Sequence, residues 1–445
     1  MLSNTDTIAA IATAQGRGGV GVVRVSGASA ATIAQKILGK EPKPRHAHYA
    51  EFPDESGQPI DQGILLFFVA PHSYTGEDVL ELQGHGGTAV LQLLLQRCVS
   101  LGARLAEPGE FTRRAYLNDK IDLAQAEGVA DLIDATTTQA ARSAMRSLHG
   151  DFSAVVEGLV AELINLRMLV EAMLDFPEED IDSLDVQRRN KQLLQIQNKL
   201  KLTLQTAKQG SLLREGAYVA LVGQPNVGKS SLLNCLSGEQ VALVSEVPGT
   251  TRDVIRKEIQ INGIPLHIMD TAGLRESDDA IEKMGIELTH QTLQKADIIL
   301  LLREANQPTN PQDDSILASL PEDIPQLHVY NKIDLLEQNA RHIDLSTGIA
   351  VSAKTGEGID QLRNKLLEMI GWSNMESGVF MARERHLIAL QQAGSHLDHS
   401  VGVVDIPELF AEELRLAQLA LNGITGEFTA DDLLGEIFSR FCIGK

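Results

Sequence analysis

Residues Gly223 to Ser230 read G-Q-P-N-V-G-K-S and satisfy G-x-x-x-x-G-K-[ST] at every fixed position. A loop of this kind works only between a strand and a helix, so it constrains the surrounding chain. Tyr218 to Val222 is a short apolar run, readable as a buried parallel strand. Ser231 to Leu236 opens a helix with Leu232, Leu233 and Leu236 at helical spacing. Strand, glycine loop and helix N-terminus aim a nest of backbone N–H groups at a phosphate. Gly223 and Gly228 let the backbone turn and approach the anion, and Asn226, Val227 and Ser231 complete the loop. Lys229 is spaced to reach the β- and γ-phosphates as a catalytic cation, and Ser230 to ligate magnesium.

Further motifs follow in order, each after an apolar strand. Asp270-Thr271-Ala272-Gly273 follows Ile264 to Met269. Asp270 is suited to hold magnesium through water, and the Gly273 N–H to meet the γ-phosphate. Asn331-Lys332-Ile333-Asp334 follows Leu327 to Tyr330. A carboxylate at Asp334 accepts two hydrogen bonds from N1 and N2 of guanine. Adenine has no such donor pair, so the motif argues for GTP. Ser352-Ala353-Lys354 follows Ile349 to Val351 and is placed to close over the base. Gly249-Thr250-Thr251-Arg252-Asp253 lies where a switch loop would donate a threonine to magnesium.

Sixty acidic against 39 basic residues give a net charge of −21, which opposes non-specific binding to nucleic acid. Any such contact needs a local basic patch or a partner subunit. Cys98, Cys235 and Cys442 fit neither a disulfide framework nor a zinc site, which suits a reducing compartment. Cys98 and Cys235 read as core residues. The N-terminus lacks the pattern of a signal peptide, and no apolar run reaches membrane-spanning length, so a cytoplasmic protein is expected.

The 445 residues allow two or three domains. Residues 1–118 read as mixed α/β, with strands at Val20 to Val25, Gly63 to Val69 and Asp78 to Leu82 and a helix over Gly86 to Ser100. Gly84-His85-Gly86-Gly87 follows a strand and opens a helix, so it reads as an anion cradle or a plain tight turn. Residues 119–215 are helical, and the basic residues Arg188, Arg189 and Lys191 read as a solvated face. The GTP-binding domain is expected over 216–372. Residues 373–445 are helical again and too few for a core of their own, so they are expected to complete the earlier helices. The fold class is thus multi-domain α/β plus α: an N-terminal α/β domain, a discontinuous helical domain and an inserted Ras-like P-loop GTPase domain.

One position departs from the Ras-like pattern. Leu274 stands where a glutamine would orient the attacking water. Glu276, Asp278, Asp279 or Glu282 in the following loop can take that role, although a solvated acidic loop accounts for most of them. Asn226 can help hold a monovalent cation beside the phosphates, supplying the positive charge an arginine finger supplies elsewhere. A ribosome-assembly GTPase is a second reading, opposed by the acidic charge and the single G domain.

Over its full length the chain resembles the MnmE (TrmE) family of bacterial tRNA-modification GTPases. The resemblance rests on Gly16-Arg17-Gly18-Gly19-Val20-Gly21, Leu117-Asn118-Asp119-Lys120, Gly249 to Asp253, Asp270 to Arg275 and the terminal Phe441-Cys442-Ile443-Gly444-Lys445. It implies an N-terminal folate-binding domain that also forms a homodimer, and an FAD-dependent MnmG subunit as partner in a heterotetramer. Together they place a carboxymethylaminomethyl or aminomethyl group on C5 of the wobble uridine of certain tRNAs. The one-carbon unit comes from 5-formyl- or methylene-tetrahydrofolate. By position, the resemblance implies folate contacts at Arg24, Glu81, Lys120 and Lys445. It implies potassium ligands at Asn226, Ser245, Val247 and Thr250, and magnesium ligands at Ser230 and Thr251. Glu282 matches the residue that positions the hydrolytic water, and Cys442 a terminal thiol with a possible part in the modification.

Overall fold

The structure is a computed structural model and describes residues 6–14, 16–175, 183–237, 255–270, 293–306, 320–321, 323–336, 348–373, 378–426, 437, 441 and 444. The chain divides into two compact units. The first holds Met1–Ala130, Ser147–Arg189 and Ser395–Lys445; the second holds Asp131–Arg146 and Asn190–Gly394.

The first unit is built on β1 (Ile8–Ile11), β2 (Gly18–Ser26), β3 (His48–Pro53), β4 (Pro59–Phe68), β5 (Val79–Gly86) and β6 (Arg104–Leu105). Their order is β3-β4-β5-β2-β1-β6, antiparallel except for the β1/β6 pair. Side chains alternate between faces of a strand. Val23, Val25, Leu80 and Leu82 point to a face covered by α1 (Ala30–Leu38) and α2 (Thr88–Ser100), through Ile33, Ile37, Leu91, Leu94 and Cys98. The other face therefore receives Arg24 and Glu81. There Phe111 of α3 (Glu110–Leu117) packs on Ile8 and Ala10. An ion network holds α3 down: Arg114, 4% exposed, reaches Asp6, Glu77 and Glu110 at 2.9–3.1 Å. A buried guanidinium is tolerable only when paired in this way.

Two expectations are corrected in this unit. Gly84-His85-Gly86 is strand, not an anion cradle; Gly84 makes room for the Asp61 carboxylate and Gly86 for the close approach of β2. A Cβ on Gly86 would lie 2.6 Å from the Gly18 carbonyl oxygen. Ladder hydrogen bonds occupy the backbone a cradle would need. Arg189 is not on a solvated face either. It is 7% exposed, donates to the Val404 carbonyl at 3.0 Å and lies 5.4 Å over the Phe410 ring.

Six helices carry the helical pattern onward: α4 (Leu123–Asp134), α5 (Thr138–His149), α6 (Asp151–Asp175), α7 (Ser183–Glu215), α10 (Glu384–Gly402) and α11 (Pro407–Thr425), with α8 and α9 belonging to the nucleotide fold below. Within the first unit α6 packs along α11, burying Val156, Leu159, Leu163 and Leu166 and, from α11, Phe410, Leu414, Ala417 and Leu421. Pro407 starts α11 at a position where no N–H is needed, and left-handed Gly426 ends it.

The second unit contains β7 (Ala217–Val222), α8 (Lys229–Ser237), β8 (Ile255–Ile261), β9 (Ile264–Asp270), β10 (Ile298–Glu304), β11 (Gln326–Asn331), β12 (Gly348–Ala350) and α9 (Ile359–Met369). The strand order is β12-β11-β10-β7-β9-β8, parallel except for β8 against β9. Asn262-Gly263, both at positive φ, makes the two-residue turn of that hairpin. Ile298 to Leu302 are all buried, as expected where both faces of a parallel sheet are covered. Among the described residues, no helix is long and apolar enough to cross a membrane.

Candidate functional site

The parallel strands bring their C-terminal ends to one edge, where ligands bind in sheets of this type. Leu221 of β7 pairs with Asp270 of β9, and Glu304 of β10 with Asn331 of β11. The sheet register thus sets the phosphate loop beside the backbone of Asp270. The first glycine of that loop is required: a Cβ on Gly223 would lie 2.4 Å from the Leu302 carbonyl oxygen. Asn226 has φ 66, the left-handed turn that tightens the loop. Val227 is buried and anchors the loop to the core below. Lys229, Ser230 and Ser231 form the first turn of α8. The Lys229 ammonium folds back and donates to the Gly223 carbonyl at 2.7 Å, which holds its charge at the start of the loop. Ser230 and Ser231 are exposed at the helix N-terminus.

Asn331 ties the phosphate loop to the base motifs. Only 2% exposed, it donates to the Val227 carbonyl at 2.8 Å and accepts from the Ala353 N–H at 3.0 Å. Gly228, φ 96, leaves room for this side chain; a Cβ there would lie 2.4 Å from Asn331 Nδ2. Lys332, also left-handed, pairs with Glu304, a contact the sequence reading missed. Ser352 is fully buried and donates its hydroxyl to Asp334 Oδ1 at 2.7 Å, while its oxygen accepts from the Thr355 N–H at 3.2 Å. One carboxylate oxygen of Asp334 is therefore held, and the carboxylate stays exposed on its 3₁₀ turn, Ile333–Leu335. Lys354 is exposed. The side chain of Asp270 lies outside the described residues, as do Ser245, Val247, Thr250, Thr251, Thr271, Ala272, Gly273, Glu282, Cys442 and Lys445. A larger cavity in this unit, about 810 Å³, is lined by Gly216, Tyr218 and residues of α7, at the opposite end of β7 from the phosphate loop.

On the first unit's second face, Arg24 and Glu81 are direct cross-strand partners. The guanidinium meets Glu81 Oε1 at 3.0 Å and lies 5.4 Å from the Tyr74 ring centre and 5.7 Å from that of Phe111. Burial raises the Tyr74 phenol above its ordinary value of 10.0; its hydroxyl is paired with Thr112 at 2.8 Å. Lys120 reaches the same place by a different route. Asn118 ends α3 and donates to the Thr75 carbonyl at 2.7 Å, left-handed Asp119 turns the chain, and the Lys120 N–H returns to Ala115 at 2.9 Å. Lys120, Glu81, Tyr74 and Arg45 then line one cavity of about 450 Å³. Residues from 45 to 120 in the sequence so converge. Tyr74, Phe111 and Arg45 were not legible as site residues, since single aromatics and arginines carry no spacing signal. The C-terminal motif also reaches this unit's sheet: a Cβ on Gly444 would lie 2.2 Å from the Ile11 carbonyl oxygen, and Phe441 is buried.

Comparison with known proteins gives two family matches. The family model of the MnmE helical domain matches residues 123–442, and that of the GTP-binding protein TrmE N-terminus matches residues 7–120. The tRNA modification GTPase MnmE of Nitrosospira multiformis is 59% identical over 452 residues, covering 100% of both chains. That of Chromobacterium violaceum is 58% identical over 442 residues, covering 99% of this chain and 98% of the other. Among solved structures, an Era variant of Aquifex aeolicus bound to GDP and aluminium fluoride is 30% identical, covering 40% of this chain and 66% of that one, with a TM-score of 0.29.

Proposed function

The chain belongs to the MnmE family of tRNA modification GTPases and is a GTP-binding GTPase; we propose that it works with magnesium and potassium in the second unit and with a folate in the first. The observation that carries the nucleotide part is Asn331, whose two hydrogen bonds lock the phosphate loop and the Ser352–Lys354 loop into one rigid edge. Gly223, Asn226, Val227, Gly228, Lys229, Ser230 and Ser231 surround the phosphates. Asn331, Lys332, Asp334, Ser352, Ala353 and Lys354 surround the base, with Asp334 reading guanine. The exposed Ser230 hydroxyl fits a magnesium ligand, joined by Thr251 and, through water, Asp270. Asn226 on its left-handed turn fits the first ligand of a potassium ion, with Ser245, Val247 and Thr250 completing the set. The two cations supply positive charge where negative charge develops on the phosphoryl oxygens. Lys229 adds to that charge, and Glu282 orients the water that Leu274 cannot. Thr271, Ala272 and Gly273 follow the γ-phosphate.

In the first unit, the cavity between Glu81 and Lys120 offers a carboxylate and a cation beside the Tyr74 ring, a donor set that fits a pterin with an acidic tail. Arg24 holds the carboxylate in place. Lys445 is assigned to the folate and Cys442 to the modification chemistry. The acidic chain leaves tRNA contact to local patches and to the MnmG subunit, which carries FAD. The domains are 1–118 for folate and homodimer formation, 119–215 and 373–445 for the helical body, and 216–372 for GTP; the protein acts in the cytoplasm. The product is wobble uridine carrying a carboxymethylaminomethyl or aminomethyl group at C5. The test is reconstitution with MnmG, GTP, potassium and 5-formyl- or methylene-tetrahydrofolate, reading wobble nucleosides by mass spectrometry. No modified nucleoside in the complete mixture, or full modification without folate, refutes the reading.

A further inference from the structure

Helices α10 and α11 present a group of side chains that the GTPase and the folate chemistry leave unused. His396 and His399 stand three residues apart on α10, on one face of the helix. Glu413 projects from α11, the next helix in the chain. One ligand atom from each of the three residues lies within 4.8 Å of the others. We propose that His396, His399 and Glu413 bind a divalent transition metal of the zinc class, which clamps α10 to α11 within the first unit.

The donor set selects the metal. Two imidazoles and one carboxylate suit zinc, cobalt or nickel; magnesium and calcium take oxygen ligands. The geometry is nearly assembled. His396 Nδ1 and Glu413 Oε2 are 2.7 Å apart. Ligands about 2.0–2.1 Å from a tetrahedral zinc stand roughly 3.3 Å from one another. His399 is exposed, so its ring can swing inward without disturbing packed side chains. The His396–Glu413 hydrogen bond alone would explain two of the residues and leave the third without a role. Two arginines on these helices and α6 are already paired with other groups. Arg415 is held by Glu412 at 2.7 and 2.8 Å, and Arg167 by Gln418 and Glu171 at 2.6 and 3.0 Å. Three protein ligands leave the fourth position to water. A metal joining two consecutive helices binds the folded state alone and raises its melting temperature by mass action.

The experiment uses the full chain saturated with GDP and magnesium, so that the nucleotide site is occupied. Zinc is titrated by calorimetry, and cobalt by its visible spectrum. Wild type is expected to take up one zinc per chain, with tetrahedral cobalt bands and no thiolate charge-transfer band. Zinc is expected to raise the melting temperature. His399→Gln and Glu413→Gln should each weaken binding by at least roughly a hundredfold, beyond the roughly 10–100-fold of an outer-shell partner, and remove the thermal shift. Because His399 is exposed, its variant keeps the wild-type circular dichroism and GTP hydrolysis. Zinc uptake by wild type no greater than by His399→Gln overturns the proposal. So does a cobalt spectrum with a thiolate band that survives in that variant, which would assign the metal to cysteine.

Discussion

Replacing Asn331 with alanine removes two hydrogen bonds that bind separate loops to each other. One runs to the Val227 carbonyl at 2.8 Å and the other comes from the Ala353 N–H at 3.0 Å, around a side chain 2% exposed. Each is worth about 1 kcal/mol net, and a carbonyl left buried without a donor adds to the loss. The variant should therefore lose about 2–3 kcal/mol of loop organisation, which corresponds to roughly 30- to 150-fold in GDP affinity. The assay is stopped-flow release of a fluorescent GDP analogue, with the loss expected mainly in the off-rate. Asn331→Asp should fare no better, because a carboxylate cannot donate to Val227. The neighbouring glycine supplies an internal check. Gly228→Ala places a methyl 2.4 Å from Asn331 Nδ2 at φ 96, so it combines a clash with backbone strain. In an Asn331→Ala background the clash is gone, and only the strain of about 1–2 kcal/mol remains. A loss under threefold for Asn331→Ala, or strictly additive effects in the double variant, would refute the reasoning.

Four further outcomes are expected. Asp334→Asn should weaken GTP by a few kcal/mol and improve binding of xanthosine triphosphate, measured by competition; unchanged GTP affinity sinks the assignment of the base reader. Single-turnover hydrolysis at fixed ionic strength should run much faster in potassium than in sodium, and Glu282→Ala should abolish the stimulation while nucleotide binding persists; equal rates in both salts exclude the cation cage. Deleting residues 441–445 should leave GTP hydrolysis nearly intact and abolish wobble modification in the reconstituted system; full modification by the truncated chain gives the tail another role. Burial pushes the Glu110 carboxyl up, but hydrogen bonds from Arg104, the Glu107 N–H and Arg114 outweigh it and hold the group below its ordinary 4.5. Its stabilisation is therefore complete above pH 4.5 and lost as pH falls through the lower folded value, so hydrogen-exchange protection in β1 and β6, relative to the intrinsic rate, should fall in acid and depend less on pH in Glu110→Gln.

The sequence by itself determined the nucleotide fold, because a phosphate loop works only after a strand and before a helix, and because each later motif also ends an apolar run. Those constraints are local: a turn, a cap and an anion-binding backbone are set by neighbours a few residues away. The reading of residues 84–87 as an anion cradle or a tight turn failed for the converse reason. A glycine that opens a loop and a glycine that lets a strand approach look the same until the partner strand is known, and here Gly18 and Gly21 of β2 are the partners. Strands β1, β3, β6, β8 and β10 escaped the reading, although the Asn262-Gly263 turn signalled one of them. Only tertiary structure decided that Glu81 and Lys120 share one cavity wall with Tyr74, and that Arg24 pairs with Glu81, since a cross-strand register and the cap of α3 bring them together. It alone turned Arg189 from a surface charge into a buried tie and joined Asn331 to both nucleotide loops. Long-range hydrogen bonds of this kind arise from packing between distant segments, and no periodicity or spacing along the chain encodes which atoms will meet.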